Sequence, residues 1–237
     1  MKLNADKSEL LWVGTKYCLS VCDGRFPCLR LRADTVFASH NVCVLGVVIS
    51  SDLSLEKHAS NVSATGFHHL RQLRRIQRSV NRDSAATLVR AFVTSRVDYC
   101  NAVFVVAPKV MTNKLQRILN TAACVVTATR KFDRSLSQLL HTELRWLDIL
   151  ERVKYKLSVM MVHRCLSGCA PRYLATYCVS VSSVAAKQHL RSVHHQLAVP
   201  SHRLSTYGRR VFAISGPMTW NSLPTHLRRV EIMRYIN

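Results

Sequence analysis

The chain has 237 residues, and 34 lysines and arginines against 13 aspartates and glutamates give it a formal net charge of +21. An apolar fraction of 48% excludes wholesale disorder, and 7 glycines and 6 prolines exclude collagen-like and low-complexity chains. A neutral small-molecule enzyme has no need of such a charge, whereas a protein that binds polyanions does. Residues 152–237 carry 13 basic residues and one acid, Glu231, so the excess is greatest there.

No secretory or membrane-spanning segment is recognisable. Asp6, Lys7 and Glu9 interrupt the N-terminus, where a signal peptide needs an apolar run of ~7–15 residues. The longest apolar stretches, such as 102–107, are far shorter than the ~20 residues that span a bilayer. We therefore expect an intracellular protein, in the cytoplasm or the nucleus.

The first fifty residues are typical of short strands. Apolar and β-branched runs predict strands at 9–13, 36–39 and 42–49, and the consecutive apolar residues of the last one predict a strand covered on both faces. Asp23–Gly24 and Pro27 predict turns in the intervening loop.

From residue 57 the apolar period becomes helical. A helix is predicted at 57–79, with Val62, Leu70, Leu73 and Ile76 as its apolar stripe. A second helix is predicted at 85–105, with Asp83 or Ser84 as N-cap, Phe92 and Cys100 facing inward and Pro108 beyond its end. A third is predicted at 112–126, capped by Thr112, and a longer one at 147–166, closed by Gly168 and Pro171. Shorter helices are predicted at 136–141 and 207–220. Residues 176–200 are polar and poorly periodic, which predicts a loop. The fold class predicted is α+β, mainly α, with short antiparallel strands at the N-terminus followed by a helical bundle and a basic, helical C-terminal region.

Five arginines recur at helical spacing in the first predicted helix and just after it. Arg71, Arg74, Arg75, Arg78 and Arg82 share one face at 3.6 residues per turn, and no acid lies among them. Guanidinium groups match phosphate oxygens well, so this basic stripe predicts a helix that follows a phosphate backbone. The alternative is a solvated helix face in an already basic protein.

The nine cysteines are an odd number and lack the close C-x2-C pairs of zinc knuckles and fingers. Cys18, Cys22 and Cys28 form one group, and a second group precedes His189, His194 and His195. A metal site built from either group is one interpretation. Reduced thiols scattered through the chain are the other, and we favour it.

The remaining motifs give no support for independent catalysis. The acids are isolated, with no Asp-x-Asp or Glu-x-Glu pair of the kind that holds two metal ions. The chain also lacks a phosphate-binding glycine-rich loop and a G-x-S-x-G nucleophile turn.

Several segments, taken together and in order, resemble the reverse transcriptases of non-LTR (LINE-type) retrotransposons. The opening MKLNADKSELLWVGT resembles the L-N-x-x-K-[ST]-E segment at the end of their palm, and VCVLGVVISSDLSLEKHASNV resembles the strand pair and turn that lead into their thumb. Later landmarks are LVRAFVTSRVDYCNAVF, KLQRILNTAACVVT and GRRVFAISGPMTWNSLPTHLR, the last of which resembles an "aP.lWNsLP" motif.

This resemblance implies roles for individual residues. Lys7 matches a palm lysine thought to protonate the leaving pyrophosphate, and Leu45 and Gly46 match the hairpin that grips the primer end. The thumb corresponds to residues from about 57 to 126 and includes the basic stripe. The implied domains are a palm-end and hairpin remnant at 1–56, a helical thumb-like domain at 57–135 and a basic C-terminal region at 136–237.

The family's metal-binding aspartates precede the L-N-x-x-K segment, so the resemblance implies a truncated C-terminal piece without them. We expect it to bind RNA or an RNA–DNA hybrid without polymerising. No cofactor is expected, since only the intact polymerase needs Mg²⁺, and neither a membrane nor a small-molecule substrate is expected as partner. The alternative is a remnant without function that binds polyanions only non-specifically.

Overall fold

A computed structural model of the chain describes residue 4 and residues 7–14, 27–31, 34–129, 136–183, 195–202 and 208–228. Within these residues the fold is α+β and mainly α, with short strands first and helices after them, as the sequence predicts. The chain forms two compact units: Met1–Val97 with Lys109–Asp133, and Asp98–Pro108 with Arg134–Asn237. The boundary predicted after residue 56 therefore lies inside the first unit.

The strands of the first unit are β1 (Leu10–Leu11), β2 (Cys28–Leu31), β3 (Asp34–Ser39), β4 (Asn41–Val44) and β5 (Val47–Ser50). β3 pairs antiparallel with β2 and parallel with β1, where Leu10 lies opposite Ala38. The antiparallel pairs β2–β3 and β4–β5 agree with the short antiparallel strands predicted at the N-terminus, and the two-residue parallel pair β1–β3 is an addition to them. Most of the loop predicted between the first strands, with Asp23–Gly24, lies outside the described residues.

β4 and β5 form a hairpin. The single covered strand predicted for 42–49 is wrong, because the chain reverses at Leu45–Gly46 and brings Val44 opposite Val47. Cys43 and Val44 are exposed on this hairpin, so its apolar run does not mark a strand buried on both faces. The turn carries no Asn-Gly or Asp-Gly pair, the dipeptides that most strongly signal a two-residue hairpin.

The helical elements of the first unit are α1 (Glu56–Ile76), a 3₁₀ turn (Gln77–Ser79), α2 (Arg82–Val89), a π-helical segment (Arg90–Thr94), the short helix α3 (Ser95–Asp98) and α4 (Lys109–Thr127). The last residue of α3, Asp98, is the first residue of the second unit. The N-cap of α2 is Asn81, whose Oδ1 accepts from the Ser84 N–H at 2.8 Å, so the predicted caps Asp83 and Ser84 are wrong. Thr112 lies inside the first turn of α4 and donates to the Lys109 carbonyl instead of capping.

The helical run that contains α2 also ends earlier than predicted. α3 stops at Asp98 and Cys100 adopts a left-handed φ of 50°, so a continuous helix over 85–105 is wrong. Phe92 and Ile76, both predicted to face inward, are 48% and 45% exposed.

α1 and α4 pack against each other and run in the same direction. Lys114 of α4 forms an ion pair with Glu56 at the start of α1 (3.1 Å), and Gln77 beyond the end of α1 donates to the Val125 carbonyl (2.8 Å). Between these points the helices touch closely, since a Cβ added at Gly66 would lie 3.0 Å from Cγ2 of Ile118. The residues of these two helices that are 0–1% exposed are Ala59, Leu70, Leu115, Ile118, Leu119, Ala122 and Ala123.

His58 is a buried polar residue near the start of α1. It is 4% exposed, and its Nδ1 accepts from the Val48 N–H of β5 at 3.5 Å. Burial lowers the pKa of His58, so the ring is held neutral between helix and hairpin.

The second unit contains a 3₁₀ turn (Asn101–Phe104), α5 (Leu136–Gln138) with a π-helical extension (Leu139–Glu143), α6 (Ile149–Tyr155), a π-helical segment (Lys156–His163), α7 (Arg164–Leu166), α8 (Arg172–Ala175), α9 (Phe212–Asn221) and a last 3₁₀ turn (Thr225–Arg228). The predicted helix at 147–166 corresponds to α6, the π segment and α7. A capping box of Asp148 and Glu151 begins it, and Gly168 follows it with a φ of 71°.

The core of the second unit forms around Trp220 of α9, which packs with Val159, Val162 and Leu197. The Trp220 Nε1–H donates to the His195 carbonyl at 2.9 Å. Asn221 holds the same segment through two bonds, because its side chain both donates to and accepts from the Leu197 backbone (2.8 and 2.9 Å). None of the helices in the described ranges has the length and apolar character needed to cross a bilayer.

Candidate nucleic-acid interface

The basic stripe lies on the first unit, but it does not lie on one continuous helix. Arg71, Arg74 and Arg75 are exposed in the last turns of α1, and Arg78 follows in the 3₁₀ turn. Arg82 is the first residue of α2, beyond an extended backbone at Val80. Helical periodicity therefore places the first four arginines together but does not set the position of Arg82.

The opposite face of α1 fixes the orientation of these arginines. Leu70 and Leu73 are buried, so residues one to two positions away must face solvent. The Arg71 Nε–H donates to the Phe67 carbonyl (3.3 Å), and Arg75 donates to the Gln72 side chain (3.5 Å). Within the described residues, Arg71, Arg74, Arg75 and Arg78 form no ion pair with a carboxylate.

A groove of about 350 Å³ runs beside the stripe, between α1 and α4. Arg71 and Arg74 line one side, Phe67 and Leu70 provide apolar surface, and Thr121 of α4 lines the other side. Two guanidinium groups beside an apolar surface suit the phosphate and sugar edges of a nucleic-acid strand. Phe67 and Thr121 were not predicted from the sequence. The i, i+4 spacing of Phe67 and Arg71 places Phe67 beside the stripe, whereas Thr121 reaches the groove only through tertiary packing.

The Leu45–Gly46 turn is the tip of the β4–β5 hairpin. Leu45 has a φ of 48° and Gly46 a φ of 80°, as a two-residue type I′ turn requires. The Leu45 side chain is 83% exposed. A branched apolar side chain is unfavourable in this conformation and in water, so neither packing nor turn chemistry accounts for leucine here.

Lys7 precedes β1 and is exposed, with its backbone N–H donating to the Asn4 carbonyl at 3.3 Å. In the part of the chain that the structure describes, no three or more His, Cys, Asp or Glu side chains are grouped to hold a metal ion. Neighbouring Glu9 instead accepts from the Cys43 N–H at 3.3 Å. The structure thus places Lys7 on the surface at the sheet edge.

Seven cysteines lie in the described ranges, and all of them are free thiols. Burial, the charge of neighbouring Cys165 and a hydrogen bond to it raise the pKa of Cys178 to about 12. Such a thiol stays protonated at neutral pH and is a poor metal ligand and nucleophile. Cys18, Cys22, His189 and His194 lie outside the described residues.

Comparison of the chain with protein-family models, with curated proteins and with solved structures found no match.

Proposed function

We propose that the chain binds RNA or an RNA–DNA hybrid through the basic stripe of α1, in the manner of a reverse-transcriptase thumb. One observation carries the proposal: Arg71, Arg74 and Arg75 project from a well-anchored helix and form no ion pair with a carboxylate within the described residues. Acids at i±3 or i±4 would pair with these arginines and stabilise a solvated helix, but α1 places its only acid, Glu56, at its far end.

The groove beside the stripe supports the same interpretation. A duplex lying along α1 places phosphates against Arg71 and Arg74, while the partly exposed Phe67 contacts sugar faces. Such contacts recognise the backbone and carry little sequence information. In this proposal Leu45 and Gly46 meet the primer end, and Lys7 is a residual palm lysine without a metal partner.

The test is a triple variant, Arg71→Gln, Arg74→Gln and Arg75→Gln, titrated with a short RNA–DNA hybrid by fluorescence anisotropy at several salt concentrations. Because each arginine that meets a phosphate releases counterions, the slope of log K against log salt should fall in magnitude by about 2–3 and the affinity by about tenfold or more. The loss should be similar for hybrids of different sequence.

A matched control removes the same charge from exposed arginines elsewhere in the first unit: Arg30→Gln, Arg90→Gln and Arg96→Gln. If binding is general attraction to a chain of net charge +21, both triple variants lose affinity equally, and the proposal fails. Retained affinity in the Arg30, Arg90 and Arg96 variant together with loss in the stripe variant supports it. Single-stranded RNA and duplex DNA of equal length show which nucleic acid is preferred.

A further inference from the structure

A second cavity, of about 400 Å³, lies wholly within the second unit. It is bounded by the segment that begins at Asp98, the loop before α6, α6 itself and the first turn of the following π-helical segment. Its polar lining consists of Asp98, Asn101, Arg145, Arg152, Tyr155 and Lys156. The volume falls within the ~300–1,000 Å³ of small-molecule pockets.

The charges around this cavity are those of an anion site. Arg152 donates from Nη1 to the Asp98 carboxylate at 2.7 Å, and Lys156 donates from Nζ to the Asp98 carbonyl at 2.6 Å. Both cations keep further N–H groups, and Arg145 is exposed with no partner among the described residues. Three cations against one carboxylate leave two positive charges, which complements the charge of about −1.5 to −2 on a phosphate monoester.

A buried acceptor at Asn101 indicates that the ligand carries more than phosphate. Asn101 is 3% exposed and lines the cavity, and its Nδ2 donates to Asp98 at 3.4 Å. Its Oδ1 is buried and has no hydrogen-bond partner in the described part of the chain. A buried carbonyl left unpaired is costly, and a ligand N–H would satisfy it.

The rest of the lining suits a flat apolar group. Leu147, Tyr155 and Met160 border the cavity and are 43%, 41% and 43% exposed, so their side chains remain accessible to a ligand. The Tyr155 ring offers a face on which an aromatic base can stack. Arg145 has a left-handed φ of 52°, and Lys156 begins a π-helical segment, two backbone features that recur at binding sites.

We propose that this cavity binds a nucleoside 5′-monophosphate, either free or as the 5′-phosphorylated terminal nucleotide of a strand. The phosphate lies against Arg145 and the unused N–H groups of Arg152 and Lys156. The base stacks on Tyr155 and donates an N–H to Asn101 Oδ1. This site uses none of the stripe residues and does not depend on the function proposed for α1.

Isothermal titration of the full chain with AMP, adenosine, ribose 5-phosphate and inorganic phosphate tests the proposal. AMP should bind at least tenfold more tightly than each of the three partial ligands, because only AMP occupies both the cationic and the aromatic side. Equal binding of AMP and inorganic phosphate, or no binding of AMP, overturns the proposal.

Three variants assign the contacts. Arg145→Gln should weaken AMP binding about tenfold or more, while Arg172→Gln, an exposed arginine on α8, should leave it unchanged. Asn101→Leu should weaken the binding of AMP but not that of ribose 5-phosphate, because only the base is proposed to donate to Asn101 Oδ1. Equal effects of Arg145→Gln and Arg172→Gln contradict the assignment.

Oligonucleotides distinguish the two sources of the ligand. In the chain with Arg71, Arg74 and Arg75 replaced by glutamine, a 5′-phosphorylated strand that displaces AMP better than its 5′-hydroxyl counterpart identifies a strand end. If both strands fail to displace AMP, the ligand is the free nucleotide. Failure of the α1 variants to alter hybrid binding would leave the AMP measurements unaffected, so the two proposals are tested separately.

Discussion

At the scale of single residues, Leu45 shows a conflict between conformation and side chain. A left-handed φ costs a branched residue about 1–2 kcal/mol. Burial of the Leu45 side chain does not offset this cost, because the side chain is 83% exposed. Residues that keep such strain often do so for a ligand. The primer-end contact proposed for Leu45 would account for it.

Replacing Leu45 by asparagine tests this interpretation. Asn-Gly is the preferred pair of a type I′ turn, so Leu45→Asn should raise the free energy of unfolding by about 0.5–1 kcal/mol in urea titrations. The same variant should bind a hybrid with a 3′ primer end more weakly. Leu29→Asn, on an exposed position of β2, should not gain stability. A loss of stability in Leu45→Asn would contradict the account of the turn.

At the residue level, periodicity predicted the exposure of the arginines in α1, because they adjoin the buried residues Leu70 and Leu73, but it failed for Ile76 on the same helix, which is 45% exposed. Asn101, Arg145 and Arg152 gave no such signal, because segments about fifty residues apart bring them to one cavity. Caps were also mispredicted, since Asn81, Asp83 and Ser84 are all good capping residues and only the backbone decides between them.

At the scale of elements, the contact between α1 and α4 depends on Gly66. Its backbone approaches Ile118 so closely that even a Cβ would meet the Cγ2 atom at 3.0 Å. Glycine in a helix interior costs about 1 kcal/mol relative to alanine, so the close approach of the two helices offsets an intrinsic disadvantage.

A larger side chain at this contact should therefore be harmful. Gly66→Leu should lower the free energy of unfolding by about 1–3 kcal/mol or more, because it forces α1 away from α4. Urea unfolding followed by circular dichroism measures the change. Thr65→Leu places the same side chain on the exposed neighbouring position and should change stability little. Equal stability of the two variants would show that α1 does not pack on α4 at Gly66.

The long helices were predictable and their irregularities were not. The apolar period of α1 and α4 gave their positions to within a few residues at each end. The π-helical segments at Arg90–Thr94 and Lys156–His163 shift which residues lie on the buried face of the helix. No residue type in the sequence predicts where such a segment occurs. Phe92 lies in the first of these segments and is 48% exposed, with its ring centroid 5.7 Å from that of His69. The residue pattern alone did not reveal the hairpin at Leu45–Gly46, because its apolar run contains no turn dipeptide, whereas the resemblance to the reverse transcriptases implied a hairpin at these residues.

At the scale of the whole molecule, the net charge of +21 acts on stability as well as on binding. Like charges repel one another more in the compact state than in the unfolded chain. We expect the melting temperature to rise between about 0.01 M and about 0.15 M NaCl, as the Debye length falls from about 30 Å to about 8 Å. Hybrid affinity should fall over the same range.

Differential scanning calorimetry of the free chain provides the measurement. The variant with Arg30, Arg90 and Arg96 replaced by glutamine carries three fewer charges and should show a smaller rise. A melting temperature that falls with added NaCl would mean that ion pairs such as Lys114–Glu56 outweigh the repulsion.

The segment Asp98–Pro108 interrupts the first unit in sequence and belongs to the second in space. If recombination replaced the sequence before residue 134, the chain would keep Arg152 and Lys156 but lose Asp98, which accepts hydrogen bonds from both. An exchange of sequence at residue 134 therefore divides the second unit, and the cavity is kept only where both segments of that unit are kept.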